Sequence, residues 1–167
     1  MNIIPYEPPM RQAALDLALR AWSPVFPQLK AAVPGFVYGA FYPEEWQKRQ
    51  LSDLGQILDN EPHTVDVAML QGQNGLETPQ LAGWVCTRIH PEDSMGEVYI
   101  LAVDPQFQRR GIGHALMDHS HDRARAAGMT MMMVETGGDP GHAPARHTYE
   151  AAGYQRWPVA RYFKNLQ

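Results

Sequence analysis

The sequence predicts an α/β (α+β) domain: a mixed sheet with helices on both faces, in the order β-α-α-β-β-β-α-β-α-β-β. Three observations predict it. Runs rich in β-branched and aromatic residues alternate with stretches whose apolar residues recur at helical spacing. The run Met129 to Glu135 is apolar throughout and of strand length, the pattern of a strand buried on both faces. A glycine-bearing turn, Gly111-Ile112-Gly113, joins a strand directly to a helix.

Taken in order, Asn2 to Tyr6 is a short edge strand, since Pro5 is tolerable only on an edge. Pro8-Pro9 opens a first helix, whose inner face is Ala13, Ala14, Leu17, Ala18 and Ala21. Trp22 to Phe41, broken by Pro24, Pro27 and Pro34, predicts a structured loop with at most short helical turns. Pro43 to Asp59 is a second helix, with Trp46, Leu51, Leu54 and Leu58 inside. His63 to Leu70 and Leu81 to His90 are strands joined by a Gly-rich hairpin loop, Gln71 to Pro79. Gly96 to Val103 is the next strand, ended by Asp104-Pro105. The Arg109–Ala127 helix follows, with Ile112, Ala115, Leu116 and His119 at helical spacing and Gly128 as its C-cap. After the Met129 strand and a loop at Thr136 to Gly141, a short helix runs from Ala143 to Ala152 and ends at Gly153. Tyr154 to Trp157 and Val159 to Phe163 complete the order as strands around Pro158.

Composition bounds the function. A chain of 167 residues, 44% apolar and 19% charged, is most simply one domain (1–167) with a real core. A net charge of −4 lacks the dominant basic face that a nucleic-acid partner needs. The lone Cys86 cannot form an internal disulfide, which fits a reducing compartment. No apolar run approaches the about 20 residues that span a bilayer, and Met1 to Pro5 lacks the pattern of a signal peptide. The expectation is a cytoplasmic protein with no membrane partner.

The chemistry concentrates between Val103 and Gly113. Glycines at 111 and 113 let backbone approach a ligand, and the first N–H groups of the following helix have no internal partners. With the helix dipole, Gln108, Arg109 and Arg110 make this an anion site suited to a pyrophosphate. Neither a Walker lysine nor a downstream ribose acid accompanies the glycines, which disfavours a generic nucleotide-binding domain. The histidines His114, His119, His121, His142 and His147 show no ligand spacing, so no metal site is expected. Cys86, mid-strand between Val85 and Thr87, reads as a buried structural thiol.

Two stretches carry a resemblance to the GNAT N-acetyltransferase superfamily. Gly96 to Pro105 followed by Gln108-Arg109-Arg110-Gly111-Ile112-Gly113 is similar to that family's acyl-CoA pyrophosphate motif. Ala145-Arg146-His147-Thr148-Tyr149-Glu150-Ala151-Ala152-Gly153-Tyr154 resembles its second motif, a helix that bears a tyrosine and ends in Gly-aromatic. The resemblance covers essentially the whole chain. It implies a central, mostly antiparallel mixed sheet of about six to seven strands and acetyl transfer from acetyl-CoA to a primary amine. Main chain at Leu101, Ala102 and Val103 would pair with the pantetheine arm, and backbone N–H groups of Arg109 to Gly113, Ile112 among them, would hold the pyrophosphate. At the place where family members often carry an asparagine near the cofactor, this sequence has His142. A homodimer through the end of the sheet at Val159 to Phe163 is a further family-level expectation.

An amine nucleophile with a pKa of about 10.4 must lose a proton before it attacks, which requires a base. The family often places one where Glu97 stands. Tyr149 is the corresponding acid for the departing thiolate, and no covalent enzyme intermediate is implied. The proline-broken aromatic connection, with Trp22, Phe26, Tyr38 and Trp46, is the expected acceptor pocket for a cationic amine with an apolar portion. The acceptor is a small-molecule amine on the leading reading. A protein N-terminus or lysine, and a non-catalytic acyl-CoA-binding module, are the alternatives.

Overall fold

The computed structural model describes residues 1–71 and 79–167. Strands are β1 (Asn2–Pro5), β2 (Val65–Leu70), β3 (Gln80–His90), β4 (Met95–Val103) and β5 (Met131–Val134). Helices are α1 (Arg11–Trp22), α2 (Val25–Ala32), α3 (Gly35–Phe41), α4 (Trp46–Asn60), α5 (Ile112–Ala126) and α6 (Ala143–Ala151). The sheet runs β1-β2-β3-β4-β5, antiparallel except for the parallel β4–β5 pair. The hairpin loop expected at Gln71 to Pro79 lies, over 72–78, outside the described residues.

Strand alternation divides the apolar side chains between two faces. Val65, Val67, Trp84, Cys86 and Ala102 point to the face covered by α1 and α4. Ala68, Ala82, Val85 and Val98 point to the face covered by α5, through Ile112 and Leu116. Instead of a single core there are therefore two apolar layers, one on each side of the sheet.

Three expectations are corrected here, and each has a physical reason. The segment after Trp22 is helical, forming α2 and α3 rather than a loop. Its prolines sit where helices tolerate them: Pro24 precedes α2, Pro27 falls in its first turn, and Pro34 precedes α3. The N–H groups that proline lacks have no partner at those positions anyway. β5 is only four residues long, and Met131 is 50% exposed. It pairs with β4 alone, and none of its four residues is buried, so its two faces are not covered as a central strand's would be. Tyr154 to Trp157 and Val159 to Phe163 form no strand, which leaves five strands among the described residues rather than six or seven. Aromatic and β-branched residues favour a strand only when a partner edge covers them. Here Trp157, Val159 and Tyr162 are exposed.

Candidate functional site

The site begins at an irregularity in β4. Cys86 pairs with Ile100 and Thr87 with Val98, so Tyr99 is passed over by the ladder. Such a bulge bends and twists its strand. The parallel pairing with β5 stops at the same point, at Val98–Val134, while β4 continues to Val103. Leu101, Ala102 and Val103 stay paired with Val85, Trp84 and Gly83 on one side, and among the described residues have no strand on the other. Their free edge is a row of main-chain donors and acceptors available to an extended ligand.

At the end of that edge the chain is pinned. Asp104, buried, receives the N–H of Gln106 at 3.0 Å and both guanidinium contacts of Arg20, at 2.6 and 3.1 Å. Gln108 Nε2 donates to the Val103 carbonyl at 3.2 Å. Beyond this anchor the backbone turns sharply: Arg109 has φ 60° and Gly111 φ 79°, both in the left-handed region. For Gly111 that conformation comes without steric cost, and a Cβ there would meet only open space. The first hydrogen bond of α5 is Ala115 N–H to Gly111 C=O, so the N–H groups of Ile112, Gly113 and His114 have no helical acceptor. Arg109 and Arg110 are exposed and have no carboxylate partner among the described residues. The Arg110 guanidinium lies 5.5 Å from the Phe107 ring centroid. This open, cationic helix start fits a diphosphate.

Glu97 lies on β4 two residues before the bulge, and its side chain is 13% exposed. Its Oε2 is 2.8 Å from His90 Nε2. This contact raises the histidine's pKa above its ordinary value, Glu97 being the largest cause. Opposite Glu97 in register is Arg88, whose guanidinium forks onto Glu61 with two contacts of 2.9 Å and stacks 3.4 Å from the Tyr99 ring centroid. Together with Asp53, Gln56 and Asn60 of α4, these three side chains line a polar cavity of about 370 Å³. Glu61, Arg88 and Tyr99 escaped the sequence reading because their proximity depends on strand pairing and on where α4 ends. The one available signal was the irregular alternation of β4.

On the far side, α6 presents Tyr149. Burial raises its pKa, and its hydroxyl donates to no acceptor among the described residues. Tyr154 lies edge-on to it at 6.1 Å and bonds His121 at 2.7 Å. The loop before α6 is knit by its own side chains. Asp139 accepts from the Gly141 N–H and holds His142 Nδ1 at 2.6 Å, while Arg146 donates to the carbonyls of Gly137 and Asp139. The loop also packs on α2, where a Cβ on Gly141 would come 2.7 Å from the Val25 carbonyl. One ring nitrogen of His142 is thus engaged by Asp139.

The four expected acceptor aromatics do not form one cluster. Phe26 is buried and stacks on Trp46 at 4.1 Å, and Tyr42 joins Phe26 edge-on at 5.4 Å and Tyr38 at 4.8 Å. Trp22 packs instead against the α1–α4 layer. Cys86 is buried against the Thr64 hydroxyl at 3.2 Å, and burial raises its pKa, which makes it a poor nucleophile. No group of three or more His, Cys, Asp or Glu among the described residues is arranged to hold a metal ion, and no helix there is long and apolar enough to cross a membrane.

Known proteins are similar to this chain in sequence and in fold. The model of the acetyltransferase (GNAT) family matches residues 35–154. Mycothiol acetyltransferase of Rhodococcus opacus is 28% identical over 71% of this chain and 39% of its own. That of Rhodococcus jostii is 26% identical over 85% of this chain and 47% of its own. The chain spans less than half the length of these two relatives. Among solved structures, an aminoglycoside antibiotic 6'-N-acetyltransferase of Acinetobacter haemolyticus superposes with a TM-score of 0.61 at 16% identity, covering 99% of this chain and 98% of that one. The ribosomal-protein-S18-alanine N-acetyltransferase of Escherichia coli gives 0.57 at 23% identity, covering 99% and 84%. Both likenesses concern the fold. With a family match over most of its length, this chain belongs to the acetyltransferase (GNAT) family, whose co-substrate is acetyl-CoA.

Proposed function

We propose that this chain is an acetyl-CoA-dependent N-acetyltransferase that moves the acetyl group directly to a primary amine of a small molecule. The observation that carries the reading is the parting of β4 from β5 at Tyr99, with the low-exposure carboxylate of Glu97 just before it and the open start of α5 just after. Bound acetyl-CoA supplies an activated thioester. Backbone N–H groups at Arg109 to Gly113 hold its diphosphate, and the free edge at Leu101 to Val103 takes the pantetheine arm and polarises the thioester carbonyl.

Glu97 is the general base that removes a proton from the incoming ammonium. Tyr149 is the general acid for the departing thiolate, and burial keeps its phenol protonated for that task. His142 borders the cofactor from the loop before α6. A small-molecule acceptor is supported by relatives named for mycothiol and by the polar cavity beside Tyr99, lined by Asp53, Gln56, Asn60 and the Glu61–Arg88 pair. The apolar portion of the acceptor is assigned to the aromatic residues of the α2–α4 region, Tyr38 and Trp46, half-buried, and Phe26, which stacks on Trp46, with Trp22 at the end of α1. The buried thiol of Cys86 fits a cytoplasmic setting.

Thiol release from acetyl-CoA across a panel of small amines and peptides tests the reading. Turnover on small amines is expected; tight cofactor binding without turnover on any acceptor would make this a binding module. Glu97→Gln should lower kcat/KM by about 100-fold near neutral pH, and by less in alkali, where the amine sheds its own proton. An unaltered pH profile would remove Glu97 from the chemistry.

A further inference from the structure

His90 closes β3, and nothing in the reaction above uses it. Its Nε2 meets Glu97 Oε2 at 2.8 Å, while its Nδ1 faces Glu92 Oε1 at 3.6 Å in the turn that follows. Side-chain exposure climbs along this line, from 13% at Glu97 through 30% at His90 to 68% at Glu92. One imidazole thus bridges a sheltered carboxylate and one in water. We propose that His90 is the proton relay of this site, carrying to Glu92 and solvent the proton that Glu97 takes from the acceptor amine. The proposal rests on the reading of Glu97 as the base.

The proton balance is simple. An ammonium N–H bond breaks and its proton passes to the Glu97 carboxylate. While Glu97 is a carboxylate it accepts from His90 Nε2–H. Once Glu97 is protonated, the imidazole exchanges with solvent to its Nδ1–H tautomer, accepts the Glu97 proton at Nε2 and releases the one on Nδ1 to Glu92 or to water. This returns Glu97 to carboxylate and restores Nε2–H for the next amine. Nothing is oxidised, and no bond to carbon is made. Histidine suits the task because its two nitrogens are distinct and it exchanges protons near neutral pH.

The surroundings leave this route open. Arg88, opposite Glu97 in register, is held in a fork by Glu61, and Arg123 is held by Asp66 at 2.9 Å. Glu61, His63, Arg88, His90 and Arg123 line a cavity of about 430 Å³. The charged groups that face His90 are therefore Glu97 across the strand pair, Glu92 in the turn, and Glu61, Arg88, His63 and Arg123 around the cavity. The carboxylates on either side raise the affinity of the imidazole for its proton, which favours transfer out of Glu97.

Two substitutions at one position separate relay from mere positioning. Glutamine keeps an N–H donor for Glu97 and cannot pass a proton through; alanine leaves room for added imidazole. With the best amine of the panel and saturating acetyl-CoA, His90→Gln and His90→Ala should each lose about tenfold or more in kcat near neutral pH, with the KM for acetyl-CoA unchanged. Free imidazole should restore part of the loss in His90→Ala alone. Glu92→Gln should cost about twofold to threefold, since water replaces it. Wild-type kcat in His90→Gln would overturn the relay and leave His90 as a residue that positions Glu97. Should His90→Ala fail to fold, His90→Gln still decides. If Glu97→Gln keeps full kcat, the base reading itself falls; if Glu97→Gln loses activity and both His90 variants do not, only the relay falls.

Discussion

The two sides of the cleft are built differently. The proposed cofactor side, Val103 to Gly113, is one continuous piece of chain whose anchors lie close by: Gln108 on the Val103 carbonyl, Asp104 on the Gln106 N–H, and Arg20 as the single distant brace. The proposed acceptor side is assembled from α2, α3, α4, the end of β3 and Tyr99 of β4, segments far apart in sequence. A side made from one stretch can be recognised from its residue order. A side made from five cannot. The contrast also assigns different costs to damage: a change in the cradle should strike binding and spare the fold, and one in the assembled side should strike the fold first.

Gly111→Val is the largest test of that contrast. It forces a β-branched residue into φ 79° and turns the open N–H groups of α5 away from an anion. Losing two hydrogen bonds to a charged group costs about 3–6 kcal/mol, which is a loss of acetyl-CoA affinity of about 100-fold or more. Titration calorimetry should find this alongside a thermal midpoint lowered only by the strain of a β-branched residue at positive φ, because a Cβ at 111 meets nothing else in the fold. Unchanged affinity would detach the diphosphate from this loop.

Phe26→Ala is the converse. Phe26 is buried against the faces and edges of Trp46 and Tyr42, so its removal should cost about 3 kcal/mol of folding stability by denaturant unfolding. Tyr38→Ala, from a half-buried ring, should cost less and instead raise the KM for the acceptor. If Phe26→Ala folds like the wild type while changing only the acceptor KM, the aromatic layer is pocket and not scaffold.

This asymmetry explains how much was legible in advance. The cradle could be read because strand end, Asp-Pro stop, glycines and helix start are consecutive, and each constrains its neighbours. The positions of β1 to β4 and of the helices α1, α4 and α5 along the chain could be read because their residue patterns are their own, and α6 because it lies in the second stretch that resembles the family and ends at a glycine. The helices α2 and α3 were hidden by prolines that begin helices as readily as they break them. β5 and the residues after Gly153 misled in the opposite direction, since apolar composition says nothing of whether an edge exists to pair with. Glu61, Arg88 and Tyr99 met only once β3 and β4 were in register around the bulge.

A smaller effect belongs to Tyr149, which α6 holds on the cofactor side. Tyr149→Phe keeps the ring and removes the proton. A thiol of pKa about 8.5 leaves with modest help, so kcat should fall by about tenfold. The sign of the pH dependence follows from burial. Because the phenol's pKa lies above its ordinary value, the acid persists through the neutral and mildly alkaline range, and wild-type kcat should show no alkaline fall there from this group. A wild-type limb near neutrality that vanishes in Tyr149→Phe would mean the hydroxyl titrates in the site and is not held as an acid.

The smallest effect tests the seam between α5 and α6. His121 Nε2 lies 2.7 Å from the Tyr154 hydroxyl, and burial pushes Tyr154 up to about 12, so the phenol keeps a proton that a neutral imidazole can accept at every physiological pH. Burial likewise holds His121 below its ordinary value; Asp118 and Asp122 oppose the shift, and Arg125 and His114 add to it. The unfolded chain therefore binds this proton first. Stability from the pair is full above the ordinary histidine value of about 6.5 and falls as pH drops through it. His121→Gln keeps an amide oxygen for the tyrosine and has no proton to gain. Between about pH 7.5 and 5.5 the wild type should lose more of its thermal midpoint than His121→Gln does. Parallel curves would show that this seam does not depend on the neutral imidazole, and that α6 is carried by its packing alone.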